Sequence, residues 1–431
     1  MKKRFAAFVA ALILALAFAT PVQAQTAVSS GTAQATYSVT ILVDGEPVDF
    51  GDAEPFVVNG STLAPMTPLY EKLNIRTDEL EIGLAEDEPV TASVGSKLGM
   101  YAIFIPDSPV AEINYAEVEL PVAPRLVDGE LYIPVRALAE AAGYEVGWDG
   151  ANRTVRLERK ASGRGFIWEV TGGDVTVYLV GSIHLGDERL YPLPLSFEAA
   201  YDEADVLGFE VDLRKTLTPE GQAFMLQAMS LQDGTTLKDH VSDEMYRQIG
   251  EKLAEFGLPE NTFDAFKPWA VAQSINSLVL ADSGITANTG IEMLFLTGTE
   301  VRKLPVIELE SIEYQVDLFD RFPPEVQENL LLDVLGDKDA LLAEMRELLD
   351  IWLAGDDAKL AEMADAQELE DEEYYRLMLL ERNINMTEKI KEYLEDEKPA
   401  TYLIVIGALH MVGKDGIVTM LEEDGYTVVR R

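Results

Sequence analysis

Two of the three histidines in this 431-residue chain occupy the same local pattern. Each follows an apolar run that predicts a buried strand, and each has a glycine three positions before it, in Gly181-Ser182-Ile183-His184 and Gly407-Ala408-Leu409-His410. The glycine lets the backbone turn sharply at the strand end without a side chain in the way. Ligands of α/β proteins bind in the crevice beyond the strand ends, where imidazole can ligate a metal or move a proton near neutral pH. The matched contexts favour a functional pair over two histidines packed in a core.

Carboxylates follow two further apolar runs. Glu210 closes one run, and Asp212 lies two residues later on the same face. Glu310 follows another run and shares a strand face with Glu308. Sites of histidine and carboxylate commonly hold metals, and a carboxylate beside the metal is a natural general base. We therefore expect Glu210 in the site, as ligand or base, and leave Asp212 open between the site and a helix cap or arginine partner.

Arg382 and His240 are the other side chains to be weighed. Arg382 is predicted in a helix that leads to the last strand, where an arginine could clamp a substrate carboxylate or stabilise an oxyanion. His240 precedes a helix that Ser242 opens, and we assign it no role. The chain contains no Gly-x-Ser-x-Gly elbow, His-Glu-x-x-His helix or phosphate-binding glycine loop.

The elements that must position these residues begin near residue 160. Strands are predicted at both ends of this region, with amphipathic helices at 243–256 and 268–281 and a helical series across 325–395. This order indicates an α/β fold with a mixed sheet and a large helical insertion. The predicted strands are residues 166–171, 175–181, 206–211, 304–308, 402–406 and 427–429.

The N-terminus reads as a targeting segment. Three basic residues precede an apolar stretch at residues 5–18, and Val22-Gln23-Ala24 fits a cleavage site, so residues 1–24 are predicted as a signal peptide. Residues 25–37 are small and polar, typical of a flexible linker. The chain has no cysteine, which excludes a disulfide framework. A net charge of −42 argues against nucleic-acid binding, and no later segment is apolar enough to span a membrane.

Residues 38–159 contain an internal repeat. An Asn59-Gly60 turn is followed by Leu63-Ala64-Pro65, and an Asp128-Gly129 turn by Tyr132-Ile133-Pro134, each before a short helical pattern. Asn-Gly and Asp-Gly between extended segments are hairpin signals. We interpret this region as a small β-rich domain made of two repeats. It resembles the copper amine oxidase N-terminal-like (stalk) family, which implies display or attachment, either as a spacer or as a cell-wall contact.

Residues 160–431 resemble the TraB/GumN family, which is related to the Tiki metalloproteases. The resemblance rests on the two histidine motifs, the Glu210 strand and a series of ordered matches. It implies a fold like that of erythromycin esterases and ChaN-like proteins, with His184, Glu210 and His410 in one site and Arg382 and Glu310 beside them. The remaining matches are Leu190-Tyr191-Pro192-Leu193-Pro194, Phe266-Lys267-Pro268-Trp269, Gly290-Ile291-Glu292, Leu309-Glu310-Ser311 with Gln315, and Arg382-Asn383.

The leading hypothesis is a secreted or cell-surface metal-dependent hydrolase, specifically a peptidase. His184, Glu210 and His410 would ligate a divalent metal (Mn, Co or Zn), and Glu210, Arg382 and Glu310 would serve catalysis of a peptide or small-molecule substrate. One alternative is a metal-independent hydrolase in which a histidine is the general base. Another is a protein that captures a peptide signal or haem without turnover.

Overall fold

The computed structural model describes residues 38–83, 89–114, 116–281, 283, 285 and 290–431. The predicted signal peptide and linker lie outside the described residues. Contacts divide the chain into two compact units. One comprises the described part of Ala17–Ser162 with Tyr191–Leu193, and the other comprises Gly163–Leu190 and Pro194–Arg431.

The first unit is built from small sheets, which are antiparallel apart from one parallel pair of strands, and from two seven-residue helices. A hairpin precedes each helix, and one strand of each hairpin, β4 and β11, pairs with the other. That the two segments are copies of one repeat stays a prediction. The elements are β1 Thr40–Val43, β2 Glu46–Pro47, β3 Phe56–Val58, β4 Ser61–Pro65, α1 Met66–Lys72, β5 Arg76–Gly83, β6 Pro89–Lys97, β7 Met100–Phe104, β8 Val110–Ile113, β9 Ala116–Glu119, β10 Arg125–Val127, β11 Glu130–Pro134, α2 Val135–Ala141, β12 Tyr144–Asp149 and β13 Thr154–Arg159.

The second unit is organised around a six-stranded mixed sheet. Its strand order is β17-β16-β18-β15-β14-β19. The first four of these strands run parallel, while β14 pairs antiparallel with both of its neighbours. The central strand β18 is buried from its second residue onward, as expected for a parallel strand covered on both faces. The strands are β14 Phe166–Gly172, β15 Val175–Ser182, β16 Val206–Phe209, β17 Val306–Glu308, β18 Thr401–Gly407 and β19 Thr427–Arg430.

Most of the helices of this unit lie in the sequence between β16 and β18, on either side of β17. Their apolar faces form two buried clusters, one around Ile249 and Ile275 and the other around Trp269 and Phe319. The helices are α3 Leu195–Glu203, α4 Arg214–Leu217, α5 Pro219–Met229, α6 Leu237–His240, α7 Asp243–Glu255, α8 Pro268–Ala281, α9 Ile291–Arg302, α10 Ile312–Asp320, α11 Pro324–Leu335, α12 Lys338–Ala354, α13 Asp357–Glu370, α14 Glu372–Tyr375, α15 Glu381–Leu394, α16 Ala408–Met411 and α17 Ile417–Glu423, with one π-helical turn at Arg376–Leu380 before α15.

The predicted mixed α/β organisation is confirmed. Each predicted strand of this unit is present, and the helix predicted at residues 268–281 has the observed bounds of α8. Two boundaries differ by two residues, because β16 ends at Phe209 rather than at residue 211 and β17 begins at Val306 rather than at residue 304. Backbone N–H groups of Leu309 and Glu310 donate to the carbonyls of Phe209 and Glu210, so the contact between these two segments continues beyond the strand end. No described helix combines the length and the apolar character needed to cross a membrane.

Candidate active site

The carboxyl ends of three adjacent parallel strands bring His184, Glu210 and His410 together. In the register, Ser182 of β15 pairs with Gly407 of β18, and Phe209 of β16 pairs with Val405 of β18. A residue just beyond each strand therefore lies at the same edge of the sheet. A methyl group built on the Cα of Gly407 would lie 3.3 Å from Glu210 Oε1, 3.4 Å from His184 Nε2 and 3.5 Å from His410 Cδ2. The three predicted residues surround one point, which we call the cradle.

The two motif glycines are needed for the close approach of neighbouring groups. Gly407 has an ordinary φ of −49°, and Gly181 is not among the residues with positive φ. A Cβ on Gly181 would lie 2.9 Å from Phe166 Cβ and 3.2 Å from Ala408 Cα, so this glycine lets the first motif pack against the second. A Cβ on Gly407 would instead enter the cradle. Neither glycine has the positive φ that favours glycine, and the need for a missing side chain at both positions is confirmed.

Glu292, at the start of α9, holds His184 in place. The backbone N–H of Ile291 donates to Ile183 O at 3.1 Å, which joins the beginning of α9 to the histidine loop. His184 Nδ1 lies 2.7 Å from Glu292 Oε1, and Ser182 Oγ donates to the same carboxylate oxygen. With Nδ1 bound to a carboxylate, Nε2 faces the cradle. Burial alone would lower the pKa of His184, but Glu292 and Glu210 outweigh burial and raise the pKa to about 9.

Replacing Glu292 with glutamine should lower the pKa of His184 toward its ordinary value of 6.5. Glutamine keeps an oxygen that can accept from Nδ1, but it removes the negative charge that stabilises the imidazolium. The measurement is an NMR titration of the ring protons in chelator-treated protein, which is tractable because the chain has three histidines. The exposed His240 serves as the internal control, and Glu292→Asp should retain most of the shift. An unchanged His184 titration in Glu292→Gln would contradict this account.

His410 is buried and neutral. Its Nδ1 lies 2.6 Å from Asn383 Oδ1, and the Nδ2 of Asn383 donates to the carbonyl of Asp415 at 2.7 Å. Because that carbonyl can only accept, the amide oxygen of Asn383 must face His410, which therefore carries its proton on Nδ1. Its Nε2 is a buried atom without a hydrogen-bond partner. Burial and then the guanidinium of Arg382 lower the pKa of His410 to about 3, so the Nε2 lone pair is free at neutral pH.

Glu210 is fixed by donors on both oxygens. Oε1 accepts from the backbone N–H of Gly407 at 2.7 Å, and Oε2 accepts from Arg382 Nη2 and from Gln315 Nε2. Gln315 lies in the first turns of α10, whose N-terminus is capped by the side chain of Ser311. Burial alone would raise the pKa of Glu210, but Arg382 and then the two histidines lower it to about 2. Glu210 is therefore an oriented anion throughout the neutral range.

Arg382 and Glu310 form the second layer behind Glu210. The Arg382 side chain is 1% exposed, and its Nε and Nη2 donate to both carboxylate oxygens of Glu310 at 2.7–3.1 Å. The N–H of Glu310 also donates to Glu210 O at 2.8 Å, which continues the β16–β17 pairing one step beyond the strands. Arg382 therefore touches Glu210 rather than solvent, and the geometry points to a positioning role for Arg382 and Glu310.

Asp212 and His240 lie outside this arrangement. Asp212 forms a salt bridge of 2.6 Å with Arg214, the arginine-paired alternative that the sequence left open. His240 ends α6 and contacts Thr235, with 2.6 Å between Nε2 and the hydroxyl, while Ser242 caps α7. The prediction that His240 has no role at the histidine site is consistent with this position.

Sequence reasoning gave no role to Glu292, Asn383 or Gln315. All three belong to short matches already noted, but their contacts join segments 27–110 residues apart. A carboxylate or amide near an apolar run is too common to identify a partner at such separations. One general rule could have suggested such partners: the second ring nitrogen of a metal-bound histidine is normally hydrogen-bonded to a carboxylate, a carbonyl or water.

Parts of both units are similar to known proteins. Residues 42–157 match the copper amine oxidase N-terminal domain. The chain is 24% identical to "Uncharacterized protein YbaP" of Escherichia coli strain K12 over 253 residues, which cover 58% of this chain and 89% of that protein. It is 20% identical to "Metalloprotease TIKI1" of Danio rerio over 317 residues, covering 61% of this chain and 62% of that protein. No solved structure gives a significant match, so the erythromycin esterase and ChaN-like fold stays a prediction.

The model of the TraB/PrgY/gumN family matches residues 166–430, a segment that contains the whole sheet and every residue of the cradle. This match spans more than half of the chain, and the chain therefore belongs to the TraB/PrgY/gumN family.

Proposed function

We propose that this protein is an exported hydrolase that cleaves peptide bonds with the help of a divalent metal ion. The single observation that supports this most strongly is the convergence of His184 Nε2, His410 and Glu210 around Gly407. The similarity to a metalloprotease from Danio rerio supports a hydrolytic reaction. Two imidazoles and one carboxylate are a donor set that suits a catalytic zinc or a related divalent ion.

The residues of the cradle can be tested for their fit to such an ion. His410 Nε2 is an orphaned buried atom whose lone pair has no partner, and His184 Nε2 borders the space that a Cβ on Gly407 would fill. Both rings are held through Nδ1 by Glu292 and Asn383, the outer arrangement usual for metal-bound histidines. Within the described ranges, no three side chains are already grouped closely enough to form a metal site. The donor types and the unpartnered Nε2 of His410 fit such an ion.

When bound, the ion would polarise the scissile carbonyl and lower the pKa of a water molecule in the cradle. Glu210 suits the role of ligand better than that of general base. Arg382 and the Gly407 N–H stabilise its anionic form, which makes the carboxylate a poor acceptor of a proton. His184, whose side chain is 20% exposed, is the histidine that a substrate can reach. To ligate the ion, His184 would give up the proton at Nε2, while Glu292 keeps the ring oriented by accepting from Nδ1. Arg382 and Glu310 position Glu210 and do not contact substrate.

A second candidate is a hydrolase that uses no metal. His410 has a neutral ring with a fixed Nδ1–H and a free Nε2, which is the form required of a general base. In this mechanism His410 would take the proton of the attacking water while His184, paired with Glu292, would donate a proton to the leaving group. Capture of a peptide signal or haem at the same crevice would be the function if binding occurs without product.

We propose that residues 1–24 direct export and that residues 38–159 contact the cell wall or act as a spacer. Support for the second point is the match to the copper amine oxidase N-terminal domain. The substrate would be a peptide or a small molecule with an amide bond, and the acidic charge of the chain makes nucleic acid an unsuitable partner.

Gly407→Ala tests the proposal by filling the cradle. The added methyl would sit 3.3–3.5 Å from the three side chains, and Gly407 has a φ that alanine adopts readily. We expect peptide hydrolysis to fall roughly 100-fold, the scale set by misplacing reacting groups by about 1 Å, while the thermal midpoint changes little. Gly147→Ala, whose nearest contact would be an ordinary 3.8 Å, is the matched control.

Chelation separates the two hydrolytic mechanisms. With the wild-type protein, loss of cleavage on chelation and recovery with Mn, Co or Zn supports the metal-dependent form, whereas cleavage that survives exhaustive chelation supports the histidine base. If Gly407→Ala cleaves a panel of peptides as fast as wild type, the cradle is not the site of hydrolysis. A peptide that binds with no product over long incubation would replace hydrolysis with capture.

A further inference from the structure

An apolar hollow adjoins the cradle on the side of His184. It is open to solvent and encloses about 440 Å³, counting the solvent-open space. We define it by the six apolar side chains that form its wall, which come from the segment after β15, from α12 and from α16. These are Ile183, Leu185, Met345, Leu348, Trp352 and Leu409.

The hollow carries no charge apart from the histidine. Of the ten described residues that line it, His184 is the one with an ionisable side chain. The chain as a whole has a net charge of −42, and α12 itself contains Glu344, Arg346, Glu347 and Asp350, none of which lines the hollow. A charged side chain placed here would lose its hydration without gaining a partner, whereas an apolar one would leave water at no such cost.

One wall of the hollow is hydrogen-bonded to β15, the strand that leads to His184. Trp352 is 1% exposed, and its Nε1 donates to the carbonyl of Gly181 at 2.8 Å. Its ring packs edge-on against Phe197 with 5.8 Å between centroids. Because Gly181 precedes His184 by three residues, the distance from this wall to the imidazole is fixed by covalent and hydrogen-bonded structure. A preformed apolar pocket at a fixed distance from a reacting group is the usual form of a specificity subsite.

We propose that this hollow receives an aliphatic side chain, of the size of leucine or methionine, from the substrate residue next to the scissile bond. The proposal rests on the proposed function, since it assigns the scissile bond to the cradle. His184 belongs to both features, because its ring borders the cradle and also lines the hollow. A substrate whose bond lies in the cradle must therefore place a neighbouring group in the hollow.

The first test compares peptides that differ only at the residue beside the cleaved bond. For wild type, leucine should be preferred over alanine by about 10–200-fold in kcat/KM, and aspartate and lysine should be poorer than alanine. Leu348 is half-buried on the wall and takes no part in the cradle, so Leu348→Trp should narrow the hollow. It should reduce kcat/KM for the leucine peptide at least about 10-fold and for the alanine peptide less than about threefold.

Two further variants keep this test decisive. Leu369→Trp, at a position that is 86% exposed, is the matched control and should retain the wild-type preference. Leu348→Ala should widen the hollow and shift the preference from leucine toward phenylalanine, so the prediction stands even if the tryptophan variant folds poorly. Equal cleavage of leucine, alanine and aspartate peptides by wild type would overturn the subsite.

A binding measurement distinguishes failure of the subsite from failure of the proposed function. N-acetyl-leucinamide should shift the methyl resonance of Met345 in wild type and not in Leu348→Trp, and N-acetyl-aspartamide should leave it unchanged. If the probe binds in this way and no peptide is cleaved, the subsite stands and the hydrolase proposal falls. If peptides are cleaved with no preference and the probe does not shift Met345, the hydrolase proposal stands and the subsite falls.

Discussion

Replacing either His184 or His410 with alanine should reduce peptide hydrolysis by about 10³-fold or more. Loss of one acid–base group alone reduces a rate by about 10²–10⁴-fold, and loss of a bound metal would reduce it further. His184 presents Nε2 to the cradle, and His410 presents Cδ2, the ring atom bonded to the Nε2 that has no hydrogen-bond partner. The measurements are kcat/KM on a peptide panel and the metal content of the purified protein.

The third histidine provides the matched control. His240 is exposed and contacts Thr235, so His240→Ala should keep both wild-type activity and metal content. His410→Ala also leaves the buried amide oxygen of Asn383 without its donor, a loss of about 1–3 kcal/mol in the free energy of unfolding. Denaturation curves must therefore accompany the assay. Unchanged hydrolysis by both cradle variants would rule out every mechanism that uses these rings.

The positions of the cradle residues could be predicted because they depend on strand direction. Apolar runs in the sequence predicted the strands β15, β16 and β18. Parallel strands present their carboxyl ends at one edge of a sheet, so His184, Glu210 and His410 were expected there. Their common edge needed no knowledge of side-chain packing. The distances around Gly407 then follow from a register in which β18 lies between the other two strands.

The role of Arg382 could not be predicted in this way. A helical arginine in a sequence is usually a solvated charge, and the sequence offered a substrate clamp as the functional alternative. Its burial depends on how α15 packs against the sheet edge, and α15 begins directly after a π-helical turn. That docking is decided by contacts with Glu210 and Glu310, which are 172 and 72 residues away in the chain. The same holds for Glu292, whose function depends on where α9 begins in space.

Arg382→Met is therefore expected to lower the free energy of unfolding by about 3–5 kcal/mol, the scale for removing one partner of a buried ion pair. Methionine has a similar length and no charge, so the variant leaves Glu210 and Glu310 buried without their cation. The measurement is chemical denaturation at pH 7 with chelator present. Arg376→Met is the control, because Arg376 is 40% exposed in its pair with Glu373 and an exposed pair contributes about 0–1 kcal/mol.

A double variant identifies the cause of that loss. Arg382→Met combined with Glu310→Met removes the cation and one of its two carboxylates together, which should be less destabilising than Arg382→Met alone, because fewer charges remain buried and unpaired. If the double variant is as unstable as the sum of the two single variants, the loss comes from packing and the ion-pair account is wrong.

The pH dependence of the loss tests the same account through Glu210. Its pKa in the folded protein is about 2, below the ordinary value of 4.5, so its ionised form contributes stability above pH 4.5 that disappears as the pH falls toward 2. Arg382 makes the largest contribution of the charges that lower this pKa, and Arg382→Met should lose most of that stability.

The difference in unfolding free energy between wild type and Arg382→Met should be greatest above pH 4.5 and shrink below it, where the unpaired carboxylates can take up protons. A difference that stays constant from pH 7 to pH 3 would mean that Arg382 stabilises the site by filling space, and Glu210 would then owe its orientation to Gly407 and Gln315 alone.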